Sequence, residues 1–180
     1  VFTESLALTE NLPPEIEVYE VEADKVLLSI GRKPTIDGIG LEKIGVEIEN
    51  GHIKVDERQK TNLPAVYAAG DVNGYSMLAH TAYREAEVCV NNMIGNKDRM
   101  RYNAIPAVIY TKPEVASVGL TEEAAEEMGI DYEVANITMR YSGRYVAEVE
   151  KGQGICKILV DKEYRKLIGV HIIGSYASEI

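Results

Sequence analysis

The chain has 180 residues, 46% of them apolar, and 29 acidic against 19 basic side chains give a net charge of −10. That apolar fraction belongs to a core-forming protein of one or two domains rather than to a disordered one. The acidic balance, with no Lys/Arg-rich block, argues against a nucleic-acid partner, because phosphate neutralisation needs clustered cations. No apolar run approaches the roughly 18 residues of a membrane span, so no membrane partner is expected. The first residues, VFTESLALTENLPPE, contain no basic segment of a signal peptide and no initiator Met. Cys89 and Cys156 lie in apolar stretches and belong to no close pair. They are expected to be inert thiols in a reducing, cytoplasmic compartment.

In chain order, Ile16–Glu22 alternates apolar and polar, and Lys25–Ile30 is a continuous apolar run. Both read as strands. Gly31-Arg32-Lys33-Pro34 ends the second, since Pro34 disfavours helix at Lys33. Leu41–Ile44 reads as a single helical turn stopped by Gly45. Asn50-Gly51 predicts a hairpin between Val46–Ile48 and His52–Val55.

The stretch from Thr61 to Ile94 organises the chain. Thr61–Asp71, with its apolar run Ala65–Ala69, reads as a strand delivering the Asp71 carboxylate at its end. A turn follows at Asn73-Gly74, then a helix over Leu78–Ile94 stopped by Gly95-Asn96. Its spacing predicts a packed face of Ala79, Ala82, Tyr83, Ala86, Val90 and Met93, with Arg84, Glu85 and Glu87 outward. In an open α/β sheet a nucleotide or flavin binds at such a strand end. Asp71 either accepts hydrogen bonds from sugar-like hydroxyls or merely starts the turn. The helix start at Met77-Leu78-Ala79-His80 offers unpaired N–H groups and a positive dipole end. His80 is expected to be a hydrogen-bonded structural residue rather than a general base.

After Asp98–Tyr102 the pattern changes. Ala107–Tyr110 and Ala116–Val118 read as strands, and a helix capped by Thr121 ends at Gly129. Tyr132–Met139, Tyr145–Val149, Ile155–Asp161 and Leu167–Ile173 then read as strands of an antiparallel, meander-like sheet. Another helix opens after Gly174-Ser175. The chain contains no GxGxxG, P-loop, CxxC, CxxxxC, HExxH or GxSxG, and its three histidines follow no metal-ligand spacing.

These residues resemble a known family. Thr61-x5-Tyr67-Ala68-Ala69-Gly70-Asp71 is similar to the second FAD-binding fingerprint of the pyridine-nucleotide disulfide oxidoreductases. Val26-Leu27-Leu28-Ser29-Ile30-Gly31-Arg32-Lys33-Pro34 resembles the strand that closes their NAD domain. Met77-Leu78-Ala79-His80 resembles the dihydrolipoamide dehydrogenase branch rather than glutathione reductase. Pro106 and Tyr110-Thr111-x-Pro113 through Glu122 resemble the start of the dimerisation domain, and Gly169–Gly174 with Ala177-Ser178-Glu179 its last strand and following helix.

The resemblance implies an α/β plus α+β fold: the tail of an FAD/NAD(P)-binding Rossmann-like region, then an α+β dimerisation domain with an antiparallel sheet. It implies the end of an NAD domain over residues 1–35, part of an FAD domain over 36–101 and the interface domain over 102–180. Asp71 and Gly70 would meet the ribityl chain of FAD, the backbone of Met77, Leu78, Ala79 and His80 the flavin ring, and Gly31 the NAD site. It also implies a homodimer through residues 102–180 and, for the whole enzyme, lipoyl domains of multienzyme complexes as partners. The family's two GxGxxG motifs and redox cysteine pair would lie before Val1, and its catalytic His-Glu pair beyond Ile180. The chain is therefore expected to be a C-terminal fragment with no catalytic residue and no cofactor bound on its own. Alternatives are a sibling such as mercuric, glutathione or coenzyme-A-disulfide reductase, or a non-catalytic dimerisation module.

Overall fold

A computed structural model describes residues 22–180. They fall into two units, one ending at Arg32 and the other spanning Lys33–Ile180. Of the strand expected over Ile16–Glu22, all but Glu22 lies outside the described residues. Residues 25–30 carry no strand, contrary to expectation, and Val26, Leu27, Leu28 and Ile30 are exposed. An apolar run becomes a strand only when a neighbour takes up its backbone groups, and no described residue pairs with this one.

The larger unit begins with α1 (Leu41–Ile44), flanked by Gly40 and Gly45, both left-handed. A two-residue hairpin follows, β1 (Ile48–Glu49) and β2 (His52–Ile53), turning at Asn50 (φ 53°) and Gly51 (φ 79°). Two consecutive positive φ values are the geometry Asn-Gly encodes in a hairpin. Ile36, Val46, Ile53, Val55 and Ala68 form a small core, with Leu41, Leu63, Val66 and Val72 packed around it.

Thr61–Asp71 is not a strand. Pro64 and Ala65 (φ 59°) make a tight turn in which the Val66 N–H reaches the Leu63 carbonyl. Proline at the second position and a positive φ at the third are its signature. The flanking residues pair locally, Thr61 N–H to the Val66 carbonyl and Ala68 N–H to that of Gln59. The apolar run thus folds back as a β-like turn that still ends at Gly70-Asp71.

Helix α2 (Ala79–Met93) forms as expected, but its buried face differs. Thr81, Glu85, Val88 and Cys89 face inward, whereas Tyr83, Val90 and Met93 are exposed. Glu85, predicted to point outward, is 0% exposed. Positions 81, 85, 88, 89 and 92 are themselves helically spaced; Val88 and Cys89 supply the apolar part of this face and hydrogen bonds satisfy its polar members. The Asn92 side chain donates to the carbonyls of Val88 and Asp98, and Asp98 receives a two-pronged bond from Arg84 at 2.7 and 2.9 Å.

The interface-like half is one antiparallel sheet in the order β3 (Ala107–Ile109), β4 (Glu114–Gly119), β7 (Leu167–Gly174), β6 (Ile155–Asp161), β5 (Tyr132–Thr138). β5, β6 and β7 form a meander; β3 and β4 form a hairpin added beside β7. Thr121 caps α3 (Glu122–Glu127) by accepting from the Ala124 N–H, as its sequence predicts. The ion pair Glu122–Lys157 at 2.5 Å and the bond between His171 and the Leu120 carbonyl place α3 over the sheet face of Lys157 and His171. The opposite face presents Val108, Ala116, Val118, Val170 and Ile172 in an open apolar depression of about 260 Å³.

Tyr145–Val149 is helical rather than extended: α4 spans Gly143–Glu148. Ser142 caps it through the Tyr145 N–H, and Arg144 pairs with Glu148 one turn on at 2.9 Å. Tyr145 is buried where Gly152, Gly154 and Gly174 carry no side chain; a Cβ at Gly154 would lie 2.9 Å from its hydroxyl. The segment after Gly174 closes as a 3₁₀ turn, Ala177–Glu179, tied to β4 by the Ser178 N–H donating to Glu114 at 3.0 Å.

Candidate flavin-loop site

Gly70 sits at φ 83°, ψ −160°, a conformation that side chains resist, with Ala82 of α2 3.4 Å from where its Cβ would be. Asp71 opens a 3₁₀ turn to Asn73, closed by Gly74 at φ 75°. Its carboxylate is exposed, and among the described residues it accepts no hydrogen bond. Leu78, the residue before α2, is extended and offers no side-chain cap, and the first turn holds no acidic residue. Among the described residues, the leading amides of the helix, at Ala79, His80 and Thr81, have no side-chain cap. Of the residues predicted here, Gly70 packs on α2, its Cβ position 3.4 Å from Ala82 and its N–H on Glu85, and Met77–His80 leads into the same helix. Gly31 (φ 128°) belongs to the other unit, and a side chain there would meet open space.

His80 is anchored, its Nε2 donating to the Pro106 carbonyl at 2.8 Å. A carbonyl only accepts, so the proton stays on that nitrogen. This is the structural role expected of it. Ser76 and Thr81 join their hydroxyls at 2.9 Å beneath the helix start.

A buried polar chain lies behind this turn, and the sequence reading did not identify it. Asn73 Nδ2 donates to Gln59 Oε1 at 2.8 Å, and Gln59 Nε2 to the Tyr102 hydroxyl at 3.0 Å. That hydroxyl donates to Glu85 Oε1 at 2.7 Å, while the Gly70 N–H donates to Glu85 Oε2 at 2.5 Å. Gln59 and Glu85 are fully buried and Asn73 nearly so. Tyr75 stacks on Tyr102 with ring centres 4.8 Å apart, and its N–H donates to Asn73 Oδ1. The visible signal in the sequence was the polar set Thr81, Glu85 and Asn92 at helical spacing beside Val88 and Cys89.

Burial, then the bond to Glu85, pushes the Tyr102 hydroxyl above the usual phenol range, so it remains a donor. Burial, then the Glu85 charge, raises the Cys89 thiol, and burial raises Cys156. Neither is an activated thiolate. Among the described residues no cluster of three His, Cys, Asp or Glu side chains is placed to hold a metal. No described helix is long and apolar enough to cross a membrane.

An exposed carboxylate thus sits on a glycine turn packed against α2, in a unit that continues into an antiparallel sheet. The chain belongs to the pyridine nucleotide-disulphide oxidoreductases: residues 13–86 match that family's model and residues 105–180 the model of its dimerisation domain. Its fold is accordingly an α/β FAD-binding region followed by an α+β dimerisation region.

The chain is 44% identical over 161 residues to the mitochondrial dihydrolipoyl dehydrogenase of Pisum sativum, covering 89% of this chain and 32% of that protein. It is equally similar to leghemoglobin reductase of Glycine max, over 89% of this chain and 31% of that one. Dihydrolipoyl dehydrogenase of Buchnera aphidicola subsp. Schizaphis graminum is 43% identical over 87% of this chain and 33% of its own. Among solved structures, LpdA from Mycobacterium tuberculosis superposes with a TM-score of 0.76 at 27% identity, over 85% of this chain and 34% of that one. The chain spans about a third of the length of the curated relatives it matches.

Proposed function

We propose that this chain is the flavin-loop and dimerisation portion of a dihydrolipoamide dehydrogenase, which oxidises dihydrolipoamide with NAD⁺ through FAD and a redox disulfide. The observation that carries the reading is the Gly70-Asp71 turn packed on α2 at Ala82 and Glu85, a helix whose start is uncapped, in a chain similar to dihydrolipoyl dehydrogenases along most of its length. The residues fit a flavin. The exposed Asp71 carboxylate suits a ribityl hydroxyl donor, and the leading amides of α2 suit a ring oxygen that gains negative charge. When bound, the flavin supplies two-electron transfer between a disulfide and a nicotinamide.

In this reading the chain's own residues bind and orient. Gly70 allows close approach, Asp71 fixes the ribityl chain, and the Met77–His80 backbone faces the ring. Gly31 lines the nicotinamide site. Residues 1–35, 36–101 and 102–180 divide among NAD, FAD and interface domains, and the last pairs two copies. Lipoyl domains are the partners of the whole enzyme, and the two unactivated thiols suit a reducing, cytoplasmic compartment, which fractionation checks. Neither thiol has the environment of a redox nucleophile, so the redox disulfide belongs to other residues.

The test uses the full-length gene product. It is expected to purify with flavin and to reduce NAD⁺ with dihydrolipoamide, but not with glutathione or a thiol-bound mercuric ion. A flavin-free protein inactive with dihydrolipoamide overturns the reading.

A second reading, a dimerisation module acting without catalysis, is favoured by the open apolar sheet face of Val108, Ala116, Val118, Val170 and Ile172. Light scattering on the 180-residue chain separates its outcomes: a dimer at micromolar concentration supports the module and a clean monomer refutes it.

A further inference from the structure

The buried chain behind the Gly70 turn has a direction, and one residue sets it. Glu85, fully buried, accepts at both oxygens, from the Tyr102 hydroxyl and from the Gly70 N–H, and so ends the chain. The Tyr102 oxygen is then free to accept from Gln59 Nε2, which turns Gln59 Oε1 toward Asn73 Nδ2. Asn73 Oδ1 in turn receives the Tyr75 N–H. The second oxygen of Glu85 takes the Gly70 N–H. One carboxylate thus holds the 70–73 turn at both ends, directly at Gly70 and through Tyr102 and Gln59 at Asn73. Asp71 lies between the two fixed points. At 2.5 and 2.7 Å both bonds are at the short end of the hydrogen-bond range. Tyr102 belongs to the 3₁₀ turn Tyr102–Ala104, which leads into the dimerisation domain, and Pro106, four residues on, anchors His80 at the start of α2.

We propose that Glu85 is a positioning residue for flavin binding, and that Tyr102 couples the entry to the dimerisation domain to the Asp71 turn through it. This rests on the flavin reading above. Glu85 touches no cofactor itself; it acts through the Gly70 amide and the placement of Asp71. A glutamine there still accepts from Gly70, but its amide presents a second donor to the Tyr102 oxygen, and the Tyr102 proton loses its acceptor. The whole amide chain must then reverse or break.

The experiment takes the full-length protein, strips the flavin and measures rebinding of FAD to wild type, Glu85→Gln, Tyr102→Phe and, on the exposed side of the same helix, Glu87→Gln as control. In parallel, the amide shift and hydrogen exchange of Gly70 are followed by NMR in the flavin-free protein. Glu85→Gln and Tyr102→Phe are expected to weaken FAD at least about tenfold, the scale of one charge-assisted bond, and to move the Gly70 amide upfield with faster exchange. Glu87→Gln is expected to change neither. KM for dihydrolipoamide should stay unchanged in Tyr102→Phe while FAD affinity falls.

Unaltered FAD affinity in folded Glu85→Gln and Tyr102→Phe proteins overturns the proposal, even if their melting temperatures drop, because that is all a merely structural role predicts. A wild type that binds no FAD overturns the flavin reading itself, and the Gly70 amide still reports separately whether the clamp exists. Should Glu85→Gln fail to fold, Tyr102→Phe, which keeps the carboxylate, decides the matter alone.

Discussion

Replacing Tyr102 by phenylalanine removes one oxygen from the buried chain and nothing else of consequence. The ring keeps its stack on Tyr75. Two groups lose their partner: the Glu85 carboxylate, left with the Gly70 N–H alone, and Gln59 Nε2. A bond to a charged group contributes about 2 kcal/mol net and a neutral one about 1 kcal/mol. The loss should therefore be about 3 kcal/mol, a large share of a typical domain stability. Urea titration of the folded protein, with the slope held equal, reads it as a shift of midpoint. A double-mutant cycle with Glu85→Gln should return a coupling of about 1–2 kcal/mol, since both substitutions break the same bond. A Tyr102→Phe change below about 0.5 kcal/mol would mean the carboxylate is not the terminus of the chain, and the assignment of its donors falls with it.

The same substitution at Tyr145 should act with the opposite sign. Its hydroxyl is buried without a partner among the described residues, so Tyr145→Phe should be neutral or stabilise by about 1 kcal/mol in the same titration. Gly154→Ala would place a Cβ 2.8 Å from Met139 Cγ and 2.9 Å from the Tyr145 hydroxyl, and should destabilise by about 1–3 kcal/mol, read as a lowered thermal midpoint. The Arg84 guanidinium, then Asn91, holds the Asp98 carboxyl down at about 2. Its folded pKa lies below the unfolded value, so this contribution is present above about pH 4 and is lost as pH falls through about 2. In Arg84→Ala the Asp98 carboxyl resonance should titrate nearer its ordinary midpoint, and an unmoved midpoint by NMR would refute the pairing.

Local signals carried far in this sequence. Asn50-Gly51 specified its hairpin, Gly45 its helix stop and Thr121 its cap, because each acts within a turn of its own position. The failures occurred where partners sit far along the chain. Residues 25–30 have the composition of a buried strand, yet strand pairing depends on neighbours that composition cannot supply. Ala65 made a turn inside an apolar run because Pro64 precedes it, a signal that was present and outweighed by hydrophobicity. Tyr145–Val149 alternated like a strand, but Ser142 caps it and three glycines leave room for the ring. The turn at Asn73-Gly74 and the start of α2 were legible because a turn and a helix N-terminus are local objects. Glu85 was not, because a charge enters a protein interior only with its donors, and those came from Gly70, 15 residues back, and Tyr102, 17 residues on.

The helix α2 therefore has two faces with different logics. Its apolar face, Tyr83, Ala86 and Val90, borders an open depression lined also by Glu87 and Asn91. Its buried face sets Thr81 and Glu85 beside Val88 and Cys89, and its side-chain bonds fix different loops: Ser76–Thr81 the approach to the helix, Glu85 the Gly70 turn and the Tyr102 segment, Asn92 the turn at Asp98. An apolar contact tolerates sliding, whereas a hydrogen bond fixes direction as well as distance. A site that must hold an exposed carboxylate and a row of backbone amides in fixed relation gains more from the second kind. That is a physical reason for a carboxylate where hydrophobic spacing alone would put a leucine, and it makes the inward face of α2 the first place where substitutions should alter the Asp71 turn.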